Sequence, residues 1–216
     1  MQNLEIQSLI VGPLQTNCYF LADKTTKAVA IIDPGGDAQR ILRHIRDNAL
    51  QVSAVLLTHG HYDHIGALGE LYNHLQCPLR IHAEDEAMLR DPVMNLSHFL
   101  GCPMEFDGKV EPIAEGDSIE IGSAGITVIE TPGHTRGSVS FYSKYSGFCV
   151  VGDTLFKRSI GRTDLPGGSH PELIKSINEK LFILDDATRI FAGHGPSTEI
   201  GSEKRENPFV HDDSSF

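Results

Sequence analysis

The chain is poor in the residues that would cross-link it, carry it through a membrane or draw it to a polyanion. Its four cysteines, Cys18, Cys77, Cys102 and Cys149, are scattered over 216 residues and include no Cys-x-x-Cys pair. They read as free thiols, not as a disulfide framework or a thiolate zinc site. No apolar stretch approaches the ~20 residues that span a bilayer. The opening Met-Gln-Asn-Leu-Glu-Ile has no basic region followed by an apolar one, so the expectation is a cytoplasmic protein with no membrane partner. Positive charge is scarce too: 18 Lys and Arg against 29 Asp and Glu give a formal charge of -11. That balance opposes long-range attraction to nucleic acid and weighs against a nuclease.

What is present suits one well-buried core, read as a single domain over residues 1–200 with a short polar tail from 201 to 216. Residues 4–11, 17–21 and 28–32 read as strands. Asp33-Pro-Gly-Gly breaks the sheet, Asp37 is a candidate N-cap, and Ile41, Leu42, Ile45 and Ala49 recur at helical spacing. The unit then repeats: a buried strand over 52–57, a histidine-rich turn, a helix lined by Ile65, Leu68, Leu71, Tyr72 and Leu75, and a strand at 79–82. Residues 92–117, with Pro92, Pro103 and Pro112, read as an irregular excursion of the kind that borders a cleft. Strands follow at 119–121, 126–130, 139–142 and 148–151, then a helix over 171–182 and a strand at 189–192. This order suits two packed sheets with helices outside, and there is no repeat of solenoid period.

Residues 58–64 read Thr-His-Gly-His-Tyr-Asp-His, the densest run of potential metal ligands in the chain. Neutral imidazoles and carboxylates are what a borderline divalent ion prefers. Three further strand ends close on a ligand-type residue beside glycine: Thr131-Pro-Gly-His134, Gly152-Asp153 and Gly193-His194. Loops beyond strand carboxyl ends can converge. Seven candidates result: His59, His61, Asp63, His64, His134, Asp153 and His194. Seven exceed one tetrahedral ion but suit two divalent ions about 3.5–4 Å apart. His59 and His61, two apart in extended backbone, can serve one ion with His134, while Asp63 and His64 can serve another with His194. Asp153 is the natural bridge.

These strings, together with Asp33-Pro-Gly, resemble the five motifs of the metallo-β-lactamase superfamily over about residues 5–200. The resemblance implies an α/β fold, a four-layer αββα sandwich with a dinuclear site at one edge, and the same division of ligands. It also implies that Asp33 supports the metals from behind their ligands; a turn-forming Asp before Pro34 is equally compatible with the sequence.

Within the superfamily, Gly152-Asp-Thr-Leu-Phe156, Gly161-Arg-Thr-Asp-Leu-Pro-Gly167 and Asn207-Pro-Phe209 resemble the short bacterial glyoxalase II-like hydrolases. The implied reaction is hydrolysis of an acyl thioester, such as S-lactoylglutathione, by a metal-bridging hydroxide that Asp63 orients. The implied metals are two zinc ions, with iron or manganese compatible with the same donors. By position Arg162 resembles the basic residue that holds the glutathione moiety; alternatively it fixes its own loop through Asp164. The longer glyoxalase II enzymes carry a C-terminal helical domain that is not matched here, and Lys157 or Arg158 is then an alternative anion contact. A rival reading is the iron-dependent persulfide dioxygenases, which share a Gly-Arg-Thr-Asp segment and would use His59, His134 and Asp153. A lactonase is a third. His44, His74, His82, His98, His170 and His211 are left as ordinary imidazoles, with His170 at a helix start before Pro171.

Overall fold

Strict alternation along the central strands divides their side chains between two cores. In β3 (Ala28–Ile32) Ala30 and Ile32 enter one apolar cluster, while Val29 and Ile31 enter another. In β10 (Phe148–Gly152) Phe148 and Val150 share the cluster of Ala30 and Ile32, whereas Cys149 and Val151 enter a third. Strands buried on both faces must be covered on both, and the computed structural model, which describes residues 4–210, shows how.

The first sheet runs, in spatial order, β1 (Leu4–Val11), β2 (Thr16–Asp23), β3, β4 (Gln51–Leu56), β5 (Leu79–His82) and β6 (Glu111–Ile113). The first three pair antiparallel and β3 to β6 pair parallel. The second sheet is built from β7 (Ser118–Ile121), β8 (Ala124–Glu130), β9 (Val139–Ser143), β10, β13 (Arg189–Ala192) and β14 (Thr198–Glu199), in the order β14-β13-β10-β9-β8-β7. A small hairpin, β11 (Leu155–Phe156) and β12 (Ser159–Ile160), follows β10. Leu21, Ile32 and Leu56 from the first sheet meet Val128, Phe141 and Phe148 from the second in the central core. Helix α1 (Ala38–Asp47) brings Ile41 and Ile45, and α3 (Leu68–Leu75) brings Leu68 and Leu71, to the outer face of the first sheet. Leu173 of α5 (His170–Ser176), with Ile177, Leu181 and Ile200, covers the second sheet. The architecture is the expected four-layer αββα sandwich.

Four local expectations differ. Asp37 precedes α1 but its side chain does not cap it: the residue is left-handed (φ 52), and its carboxylate accepts from the Gly12 N–H at 3.1 Å. The helix after the histidine turn is two short ones, α2 (Tyr62–Ile65) and α3, separated at Gly66 and Ala67. The chain passes close to Gly35 at this point and requires glycine there, since a Cβ on Gly66 would lie 2.4 Å from the Gly35 carbonyl oxygen. The excursion over 92–117 contains a 3₁₀ turn at Ser97–Leu100 and the strand β6. The boundary expected at residue 200 falls at the start of a helix, α6 (Ile200–Glu206), in which Ile200 and Glu203 are buried. Glu203 accepts from Arg158 N–H and Asn207 Nδ2, so residues 201–210 are packed rather than frayed. His211 and residues 212–216 lie outside the described residues. Among the described residues no helix is long and apolar enough to cross a membrane.

Candidate metal centre

The seven predicted donors come together at one edge of the sandwich. His59 follows β4, His61 stands at the start of α2, and Asp63 and His64 lie in α2. His134 is in the β8–β9 loop, Asp153 follows β10 and His194 follows β13. Their ligand-type atoms fall into overlapping triads: His59, His61 and His134; His59, His64 and Asp153; Asp63, His64 and His194. His61 Nδ1 lies 2.9 Å from His134 Nε2. On the other side His194 Nε2 is 3.1 Å and His64 Nε2 is 3.6 Å from Asp63 Oδ2. Asp153 stands between the groups, 3.5 Å from His64, 3.8 Å from His134 and 3.6 Å from His194.

The outer nitrogens of His59, His64 and His134 are tied down, which aims their inner nitrogens. Asp33 Oδ2 accepts from His64 Nδ1 at 2.9 Å, and the Arg162 carbonyl accepts from His134 Nδ1 at 2.8 Å. Thr58 Oγ1 donates to Asp33 Oδ2 at 2.6 Å, and Thr58 N–H to Asp33 Oδ1 at 2.8 Å. A hydroxyl has one proton to give. Thr58 therefore accepts from His59 Nδ1, 3.1 Å away, and the lone pair of His59 is left on Nε2.

Buried donor atoms without partners at this edge fit divalent ions. His59 Nε2, His61 Nε2, His64 Nε2 and Asp153 Oδ1 are buried without a hydrogen-bond partner, a rare state for polar atoms. Burial, reinforced by the neighbouring imidazoles, holds His59 well below the ordinary histidine range, and burial with His134 pushes His61 down to about 3. Both rings are neutral at pH 7, as ligation demands. Burial would also lower His64, but Asp63, Asp153 and Asp33 outweigh it and raise the ring to about 10. Asp63 is held below the carboxylate range because His64 and His194 outweigh its burial. So many mutually perturbed groups beside a cleft mark a functional site.

Backbone approach at this edge depends on glycine. A Cβ on Gly193 would sit 2.2 Å from Asp153 Oδ1 and 2.7 Å from His64 Cε1. Gly152 is left-handed (φ 50), and a Cβ there would meet Thr58 Oγ1 at 2.4 Å.

Of the anion contacts expected from the sequence, Arg162 and Arg158 are paired with carboxylates and Lys157 does not line the cleft. Arg162 lines the cleft, but its Nε and Nη2 donate to Asp164 at 2.8 Å each. The loop-fixing alternative is thus the arrangement present, and the carbonyl of Arg162 holds His134. Arg158 pairs with Glu206, and Lys157 is exposed and is not among the residues lining the cleft. His170 begins α5, as expected.

Sequence reasoning missed Asp85, Thr16 and Asn17. Buried Asp85 accepts from Gly60 N–H (3.1 Å), Gly137 N–H (2.8 Å) and Thr135 Oγ1 (2.7 Å), joining the histidine turn to the loop of His134. Thr16 donates to Asp63 Oδ2 at 3.3 Å, and Asn17 Nδ2 binds the carbonyls of Ala192 and Gly195, which fixes the loop of His194. None sits in a ligand-like string, so no local signal marks them.

The chain belongs to the metallo-β-lactamase superfamily, whose family description matches residues 11–194. This is a family of metal-binding hydrolases. Among its relatives are ML0493 of Mycobacterium leprae, 46% identical over 92% of this chain and 95% of that protein, and the probable metallo-hydrolase YqgX of Bacillus subtilis, 40% identical over 93% and 95%. The hydroxyacylglutathione hydrolase GloC of Haemophilus influenzae is 36% identical over 98% of this chain and 100% of its own length. Among solved structures, the BLEG-1 B3 metallo-β-lactamase superposes with a TM-score of 0.91 at 39% identity, covering 96% of this chain and 100% of that one. TTHA1623 in a di-iron-bound form gives 0.85 at 34%, covering 94% and 99%. ETHE1 from Myxococcus xanthus gives 0.77 at 28%, covering 97% and 86%.

Proposed function

We propose that the protein is a two-metal hydrolase that cleaves an acyl thioester, with His59, His61 and His134 holding one ion and Asp63, His64 and His194 the other across Asp153. The observation that carries this reading is the position of Asp153 between two donor groups. A mononuclear iron dioxygenase using His59, His134 and Asp153 would leave Asp63, His64 and His194 without a role. The hydrolase names of YqgX and GloC support hydrolysis. The donors accept zinc, iron or manganese, and the di-iron form of TTHA1623 is a reason to test iron first alongside zinc.

Bound divalent ions supply a water acidic enough to ionise near neutrality and a Lewis acid for the carbonyl oxygen. The chain supplies the rest. Asp63, which accepts from Thr16 and lines the cleft, orients the attacking water. A departing thiolate, with a conjugate-acid pKa of about 8.5 by analogy with free cysteine, needs no strong general acid. No side chain beyond the metal donors has to supply one. S-lactoylglutathione is the first substrate to test because of the likeness to GloC.

The decisive experiment pairs metal analysis of the purified protein with thioester cleavage followed by absorbance. Two metal equivalents and hydrolysis are expected. One equivalent of iron, with oxygen uptake on a thiol persulfide and no hydrolysis, would overturn the proposal in favour of the dioxygenase.

A further inference from the structure

Five of the seven candidate donors, His61, Asp63, His134, Asp153 and His194, line a cleft of about 760 Å³ whose other lining is largely apolar. Leu14 from the β1–β2 turn, with Phe99 and Leu100 from the Ser97–Leu100 turn, form part of the lining. Phe156, Ile160 and Leu165, in and after the β11–β12 hairpin, contribute further apolar lining. Leu14, Phe99 and Leu100 are 50%, 67% and 54% exposed. Single exposed apolar residues need no explanation, but a group of them at one opening marks a binding surface.

The turn that carries Phe99 and Leu100 stands on a built base. Asn95, fully buried, donates through Nδ2 to the carbonyls of Met88 (2.9 Å) and Met104 (3.0 Å), and its Oδ1 accepts from Ser97 N–H at 3.0 Å. Its own carbonyl accepts from Tyr62 N–H at 2.9 Å, which tethers the rim to the helix bearing Asp63 and His64. Leu96 is held left-handed at φ 72, a conformation that costs a branched residue energy and persists where the surroundings impose it. Charge points the same way. Arg162 is the cation among the lining residues, and Asp164 already takes its guanidinium in a two-point pair. The lining thus offers one guanidinium, already paired, for the carboxylates of a charged thiol carrier, and the chain itself is acidic at -11.

From this we infer that the cleft selects thioesters whose arm beside the carbonyl is uncharged and apolar, with Leu14, Phe99 and Leu100 as specificity-determining residues. The inference rests on the thioester reading for the reaction but concerns the shape and polarity of the cleft. Each methylene fully buried against these walls is worth about fourfold in binding. Partial burial of a six-carbon chain should therefore favour it over a two-carbon one by roughly tenfold or more.

The test compares the acetyl and hexanoyl thioesters of N-acetylcysteamine with S-lactoylglutathione in the metal-loaded protein, reading kcat/KM. In parallel, calorimetry measures binding of the non-hydrolysable S-methyl and S-hexyl thioethers of N-acetylcysteamine, and of S-methylglutathione. The expected result is a hexyl preference of roughly tenfold or more in both assays, falling towards one in Phe99→Ser and Leu14→Ser. Both sites are exposed, so the substitutions leave the core intact. Equal binding of methyl and hexyl thioethers, tighter binding of S-methylglutathione, or loss of self-association in the two variants without a change in the ratio would overturn the inference. Failure to cleave any thioester would sink the proposed reaction, and the thioether binding would still decide the nature of the cleft.

Discussion

Asp33 controls the orientation of two histidines at once: it accepts directly from His64 Nδ1 at 2.9 Å, and through the Thr58 hydroxyl it sets the tautomer of His59. All four side chains are buried. Removal of such an outer partner typically costs 10–100-fold in metal affinity. Asp33→Asn keeps the size and tolerates the left-handed backbone (φ 51) at this position. Metal titration of this variant should show affinity reduced by about 10–100-fold, with the circular dichroism of the wild type.

Asp85 joins two ligand-bearing segments without touching the metals' own donors. Burial raises its pKa, against which its hydroxyl and two backbone donors act. Asp85→Ala leaves the Gly60 and Gly137 N–H groups and the Thr135 hydroxyl without this acceptor. We expect a loss of about 2–4 kcal/mol in urea unfolding, together with weaker metal retention. Unchanged stability would show that water replaces the carboxylate.

Gly193→Ala tests the close approach of backbone to ligands. The added methyl would displace the Asp153 carboxylate or the His64 ring, since both lie inside contact distance of the new Cβ. The expected outcome is a loss of roughly tenfold or more in activity with the far-ultraviolet spectrum retained. Wild-type turnover would mean that Asp153 can shift without cost.

The metal-free protein should be least sensitive to denaturant near pH 6.5 as far as these rings decide. His64 rises from 6.5 to about 10 on folding, so its contribution is complete below pH 6.5 and disappears as pH rises towards 10. His61 falls from 6.5 to about 3, so its contribution is present above pH 6.5 and disappears as pH falls towards 3. Urea midpoints measured against pH in chelator should decline on both sides. Metal loading requires His64 to give up its proton, so at pH 8 it should release acid to an indicator.

Several parts of this molecule were legible residue by residue. The first three strands and β10 were legible from their β-branched and aromatic content and from the turn residues that bound them, while β2, β3 and β10 are buried on both faces. The donors were legible because each group follows a strand: His59, His61, His134, Asp153 and His194 sit beside glycine, and Asp63 and His64 close the same short string. Asp85 and Asn17 were not, since their partners lie up to 178 positions away, as between Asn17 and Gly195, and neither spacing nor composition records such a pairing. The same holds for Arg162: its sequence neighbourhood allowed a free guanidinium or an ion pair with Asp164, and only the loop conformation chose the pair.

The sequence by itself determined which side chains can hold metal, the family to which the chain belongs and the layers of the fold, because periodicity, glycine and ligand chemistry are local properties. Tertiary structure decided that two donor groups face each other across Asp153, that Asp33 orients two rings, and that apolar residues from distant turns line the cleft above them. Those outcomes depend on which strand ends and loops the two sheets place side by side, and that placement is settled only when the cores on both faces of each sheet are packed.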